Sequence, residues 1–134
     1  MSAFLFDPML QGLQQVLDLR SRQHALTATN LANADTPGYH AQVIDFETAL
    51  VDVMNGVENT GMSHTRAEHL GPSGPADAEI IELEPPAWST NDNSVLAERE
   101  HARMLENSLL YRGVAKGVGR KLALLKYAAS NGQG

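Results

Sequence analysis

NLANADTPGYHAQ, residues Asn30 to Gln42, decides the reading of this chain, because it must end one element and aim the next. Pro37 lacks an N–H and drives Thr36 away from helical angles. Pro followed by Gly fits the two central positions of a type II turn, in which Gly38 takes positive φ without steric cost. Asp35 has the chemistry to bond backbone just ahead of it in an Asx-type turn. Asn33 is placed to satisfy the last carbonyls of a helix. We therefore read Asn30, Asn33, Asp35, Thr36, Pro37, Gly38 and Tyr39 as a structural joint rather than a catalytic loop.

Upstream of the joint, residues 8–33 predict a helix, with Pro8 in its first turn and Asp7 as N-cap. Leu10, Leu13, Leu17, His24, Ala28 and Leu31 mark one stripe, while Met9, Val16, Leu19 and Leu26 lie partly outside it. Apolar residues spread beyond one stripe suit a helix with neighbours on several sides.

Downstream, residues 46–54 predict a short helix with Asp45 as N-cap, Phe46, Leu50 and Val53 as its stripe and Gly56 as its stop. Residues 55–94 are loop-rich, since Gly71–Pro75 and Glu84–Trp88 break any regular element. Ile80, Ile81 and Leu83 predict one short strand there. Residues 94–129 predict a second long helix, N-capped by Ser94. Ala97, Met104, Tyr111, Val114, Val118, Leu122, Leu125 and Ala129 follow helical spacing, and Leu96, Leu105 and Leu109 form a second patch. The chain shows no internal repeat. It divides into an N-terminal helix (1–34), a middle of turn, short helix and loops (35–93) and a C-terminal helix (94–134). The fold class is mainly α: two long terminal helices packing together, joined by a short loop-rich middle with one short helix and little β.

Composition agrees with that class. A chain of 134 residues fits one domain. Only 5% are aromatic, so packing falls to Leu, Val, Ala and Met rather than to large rings. The net charge of −6 is unevenly spread. Residues 35–106 hold fourteen acids against Arg66, Arg99 and Arg103, and from Tyr111 onward there are five bases and no acid. An acidic middle and a basic tail attract neighbouring copies of one chain; a basic helix end also matches its own dipole. The balance disfavours nucleic acid as a partner. The absence of Cys excludes disulfides and thiolate chemistry. No apolar run reaches membrane-spanning length, so no direct membrane insertion is expected. The N-terminus lacks a basic region followed by an apolar core and cleavage site, so any export is expected without a cleaved signal peptide.

The search for chemistry finds little. Glu98-x-x-His101 has the spacing used by di-iron bundles, but those sites need a second such pair, and none exists here. The pair is read as a solvated one on a helix surface. His64 and His69 are five apart, which is not one-face ligand spacing, and His24 and His40 have no evident partner in sequence. No cofactor is expected. GVAKGVGRK, residues 113–121, fails the phosphate-loop pattern because Leu122 follows Lys121. Gly113 and Gly117 instead share a helix face. With Gly119 they weaken the helix by on the order of 3 kcal/mol. Close approach of a neighbouring helix would offset this; the alternative is a frayed or bent helix.

With these residues in hand, the chain resembles bacterial flagellar rod proteins. Their N-terminal helix ends in Asn-x-x-Asn-x-x-Thr-Pro-Gly-Tyr, which stands here at Asn30–Tyr39. The run Tyr39–Leu50, the segment Thr65–Leu70 and the stretch from Asn91 to Tyr111 are similar to proximal-rod members, and the short middle is unlike the larger insertions of hook and distal-rod members. His40 stands where a basic residue is usual. The resemblance implies a non-enzymatic structural subunit of the basal body, exported by the flagellar type III route and assembled helically in the periplasmic space. It implies two terminal helices lining the inner tube in coiled-coil fashion, and a rod that forms the export channel and transmits motor torque. Implied partners are copies of itself, other flagellar rod proteins, the inner-membrane ring with its rod adaptor, and the export gate. The assembly faces would be Leu10, Leu13, Leu17 and Leu31 on the first helix. On the second they would be Met104, Tyr111, Gly113, Val114, Gly117, Val118, Leu122 and Leu125.

Other classes stay open at this point: another short rod protein of the same family, a cytosolic helical adaptor or secretion chaperone, or a bundle enzyme using Glu98 and His101. An adaptor predicts a well-folded soluble dimer and leaves Thr36-Pro37-Gly38-Tyr39 unexplained. The enzyme predicts bound metal.

Overall fold

The computed structural model describes residues 7–58 and 78–130. Their order is α1 (Pro8–Ala32), β1 (Gln42–Ile44), α2 (Phe46–Glu58), β2 (Ile80–Glu82) and α3 (Ala97–Ala129). His64, His69, the Thr65–Leu70 segment and the Gly71–Pro75 loop lie outside the described residues. The two long helices pack together and strand is scarce, as the sequence predicts.

α1 begins where its chemistry says it should. The Asp7 carboxylate accepts the Met9 N–H at 2.9 Å, and Pro8 occupies the first turn. It ends at Asn33, whose backbone N–H donates to the Thr29 and Asn30 carbonyls and whose side-chain amide donates to the Thr29 carbonyl at 2.9 Å. α2 is capped by Asp45, which accepts the Thr48 N–H and, at 2.6 Å, the Thr48 hydroxyl.

α3 runs antiparallel to α1. Three contacts set the pairing: Asp7 with Lys121, Arg20 with Asn107, and Asn30 with Glu100. Numbers rise along one helix as they fall along the other. On another side α1 packs against α2 and β1. That contact is the core: Leu19, Ile44, Ala49 and Val53, flanked by Val16, Leu26, Phe46 and Ala78. Full burial of a side chain such as Leu19 contributes about 2 kcal/mol. β1 and β2 pair antiparallel, Gln42 with Glu82, Val43 with Ile81 and Ile44 with Ile80.

Several expectations need correction. α3 starts at Ala97, not at residue 94, and its N-cap is Leu96, which makes no side-chain cap bond. Ser94 is already committed elsewhere: its N–H donates to the Tyr39 carbonyl at 3.1 Å, and its hydroxyl accepts the Ala41 N–H at 2.7 Å. Gly56 does not stop α2, which continues to Glu58; one helical Gly lowers stability by about 1 kcal/mol without forcing a break. Leu83 falls just beyond β2, though its N–H still donates to the Ala41 carbonyl at 2.8 Å. β1 was not foreseen. The buried residues of α1 are Gly12, Leu19, Thr27 and Asn30. His24 and Ala28 of the predicted stripe are exposed. The helix has two contact directions, so its most regular apolar spacing does not mark its most buried face.

Candidate functional site

At the joint one side chain saturates its bonding capacity. Asn30 is fully buried. Its amide donates to the Gln42 carbonyl and to Glu100 Oε2, both at 2.9 Å. Its oxygen accepts the Gln42 N–H at 2.9 Å and the Tyr39 hydroxyl at 3.3 Å. Two donors and two lone pairs are thus all used. Toward Gln42 the carboxamide behaves as a peptide group of a neighbouring strand. Two turns earlier on α1, Gln23 Oε1 accepts the Ile44 N–H at 3.0 Å. A three-residue ribbon is marginal alone. Here α1 side chains occupy the edge of β1 that β2 leaves open.

Glu100 is the other buried member, with 1% of its surface exposed. Its second oxygen is paired with Arg103. A buried carboxylate is tolerable only with such partners. Since Asn30 binds both Glu100 and Gln42, it ties α3 and the outgoing chain to the last turn of α1.

The turn itself follows from Pro37 and Gly38. Gly38 sits at φ +71°, and the Tyr39 N–H returns to the Thr36 carbonyl at 3.3 Å. The Gly38 N–H donates to the Asn91 carbonyl at 2.9 Å. Asn93 closes the helix end: its amide donates to the carbonyls of Asn33, Ala34 and Thr36 at 3.0, 3.1 and 2.7 Å. Its oxygen accepts the Val95 N–H at 2.7 Å. Asn33 Oδ1 accepts the Thr36 hydroxyl at 3.2 Å, while Asp35 is exposed. The joint thus brings together Asn30, Asn33, Thr36, Gly38 and Tyr39 with five residues that the sequence pattern does not assign to it: Gln23, Asn91, Asn93, Ser94 and Glu100. A seven-residue spacing of polar groups, Gln23 to Asn30 and Glu100 to Asn107, was the available signal, since seven residues is two turns on one helical face.

Electrostatics at the joint follow its burial. Removal from water, with the Glu100 and Glu82 carboxylates nearby, raises the Tyr39 phenol above its ordinary pKa. Asp45 is held below the usual carboxylate range by its bonds from Thr48. Lys121 does the same to Asp7 through a 2.9 Å bridge, with further help from the Met9 amide. Farther along α1, the Arg20 guanidinium stacks 3.8 Å from the Phe46 ring centre, and the Asn107 amide donates to the Arg20 carbonyl at 2.7 Å. Burial lowers the Arg20 pKa.

The remaining named residues lie along the long helices. Leu10, Leu13, Leu17, Leu31, Met104, Val114, Val118 and Leu125 are half-buried; Tyr111, Gly113, Gly117 and Leu122 are exposed. Leu105 is 65% exposed and Leu124 67%. Among the described residues, a Cβ added at Gly113, Gly117 or Gly119 would meet nothing within 4 Å, so none of them packs on that glycine face. Glu98 and His101 are both exposed. Among the described residues no three His, Asp or Glu side chains converge as a metal site. The arrangement is suited to holding elements at a fixed angle and leaving helix surface open.

Scanned against models of protein families, the chain matches none. It is similar to the flagellar basal body rod protein FlgB of Salmonella typhimurium, 37% identical over 113 residues that span 79% of this chain and 81% of that one. It is 35% identical over 112 residues to FlgB of Yersinia enterocolitica, 79% and 82% of the two chains. It is 34% identical over 116 residues to FlgB of Cereibacter sphaeroides, 85% and 88%.

Proposed function

This chain belongs to the FlgB family of flagellar basal-body rod proteins, and from that premise we propose that it is a structural subunit of the proximal rod. Copies pack helically with other rod proteins in the periplasmic space. The terminal helices line the export channel, and the assembled rod carries motor torque outward. The inner-membrane ring, its rod adaptor and the export gate are its neighbours. The role is structural rather than catalytic, and no cofactor or nucleic acid takes part. No helix among the described residues is long and apolar enough to cross a membrane.

The observation that best supports this reading is the joint. A buried carboxamide with every bond filled fixes how the chain leaves α1. A torque-bearing subunit needs such a fixed exit between its tube helices and its outer layer. The exposed apolar residues of α3 supply the second requirement, a surface for neighbours. The test is an in-frame deletion. We expect non-motile cells whose basal bodies lack a completed rod, restored by the wild-type chain. Normal swimming in the deletion strain would contradict the proposal.

A further inference from the structure

Leu109, Arg112, Lys116, Arg120 and Tyr127 recur on α3 at steps of three, four, four and seven, which places them in one row, and all five are exposed. From Tyr111 to Ser130 the helix carries five bases and no acid, and among the described residues only Lys121 of these is ion-paired, to Asp7. The layer of α2 and the β1–β2 ribbon has the opposite sign. Residues 35–57 and 78–92 carry eight carboxylates and no Lys or Arg. α2 also turns Glu47, Leu50, Val51 and Met54 outward on one face, all exposed. The layer packs on α1 around Val16, Leu19 and Leu26. The basic row runs on toward the far end marked by Asp7 and Lys121. Lys116 lies about 24 Å along α3 from Glu100 at the joint, at 1.5 Å per residue. With Arg20 against Asn107 and Asp7 against Lys121, Leu109 and Arg112 stand level with Leu19 and Val16, and Lys116, Arg120 and Tyr127 carry the basic surface past the acidic layer along the long axis of one molecule.

Resting on the rod reading above, we propose that the occupant of this α3 face is a second copy of the same chain. Its α2 and β2 carboxylates meet Arg112, Lys116 and Arg120, while Leu50, Val51 and Met54 cover Leu109 and Tyr127. The contact is heterologous: the basic surface of one copy meets the acidic surface of the next. Such contacts do not close as a symmetric dimer; they repeat into a ring where the rotation closes and into an open helical polymer where it does not, and the rod reading calls for the second.

A zero-length carboxyl-to-amine cross-linker tests this on the full chain. In an equal mixture of isotope-labelled and unlabelled protein, we expect mixed-isotope links from Lys116 or Lys126 to Glu47, Glu79, Glu82 or Glu84. Their yield should fall about tenfold in high salt, as screening requires of an exposed ionic contact. Reversing Arg112, Lys116 and Arg120 to Glu should abolish them. Adding Glu47→Lys, Glu79→Lys and Glu82→Lys to that variant should restore inter-copy links with the polarity inverted. Every altered side chain is exposed, and a circular-dichroism spectrum checks each variant's fold. Links confined to one isotope, or links indifferent to salt and reversal, would overturn the proposal. So would a charge-reversed chain that enters basal bodies at the wild-type level, an outcome that leaves the rod reading intact. Absence of the wild-type chain from basal bodies would instead strike the rod reading.

Discussion

Asn30 and Gly38 control the joint by different means. Replacing Asn30 with Ala leaves the Gln42 peptide groups and one Glu100 oxygen without their partner in a buried place. Leaving such groups unsatisfied should destabilise the fold by about 3 kcal/mol. Urea unfolding followed by the fluorescence of Trp88, the only Trp, reads this directly; a midpoint equal to wild type would contradict it. At Gly38 the constraint is backbone rather than space, since an added Cβ meets nothing within 4 Å among the described residues while φ is +71°. Gly38→Val should lose roughly 1–3 kcal/mol and motility, with the protein still produced, whereas Gly38→Asn should be milder because Asn tolerates the left-handed region. Equal swimming of wild-type and Val strains would refute this. Asp7 supplies a pH test. Its folded carboxyl pKa is depressed, chiefly by the Lys121 bond. The contact therefore stabilises the fold above the ordinary carboxyl value and is lost as pH falls through the lowered folded value. Lys121→Met should raise the Asp7 titration toward its ordinary position by NMR; an unmoved titration would mean the bridge is absent in solution.

The elements differ in how plainly the sequence announces them. α1 was legible from both ends, because Asp7, Pro8 and Pro37 act locally. The Asp45 cap and the positive φ of Gly38 were legible for the same reason. β1 was not, because the groups that complete it are side chains of Asn30 and Gln23, 12 and 21 residues upstream of their partners. Nor was the start of α3 legible, since Ser94 is claimed by Tyr39 and Ala41 across the fold. Among the described residues a Cβ at Gly113 or Gly117 meets no neighbour within 4 Å, so Gly117→Leu should favour the helix in the free protein by several tenths of a kcal/mol. If another subunit packs closely there, the same change should reduce incorporation into basal bodies by overpacking, roughly 1–3 kcal/mol per copy. Higher helicity with normal incorporation would mean that the glycines face solvent in the rod as well.

On the scale of the whole molecule, burial is concentrated at the joint and where α1 meets α2 and β1. The core residues Leu19, Ile44, Ala49 and Val53 lie in α1, β1 and α2. Within the 33 residues of α3 only Glu100 and Asn107 are buried. Leu122, Leu124 and Tyr127, beyond them, are exposed. Helix propensity alone does not hold such a segment, which draws its stability from packing. In the proposed rod, other subunits cover it. Amide hydrogen exchange, measured on the dilute free chain and on purified basal bodies, tests this most directly. We predict fast exchange over Val114–Leu125 in the free chain and strong protection of the same amides in the rod. Strong protection of those amides in the dilute monomer would contradict the account.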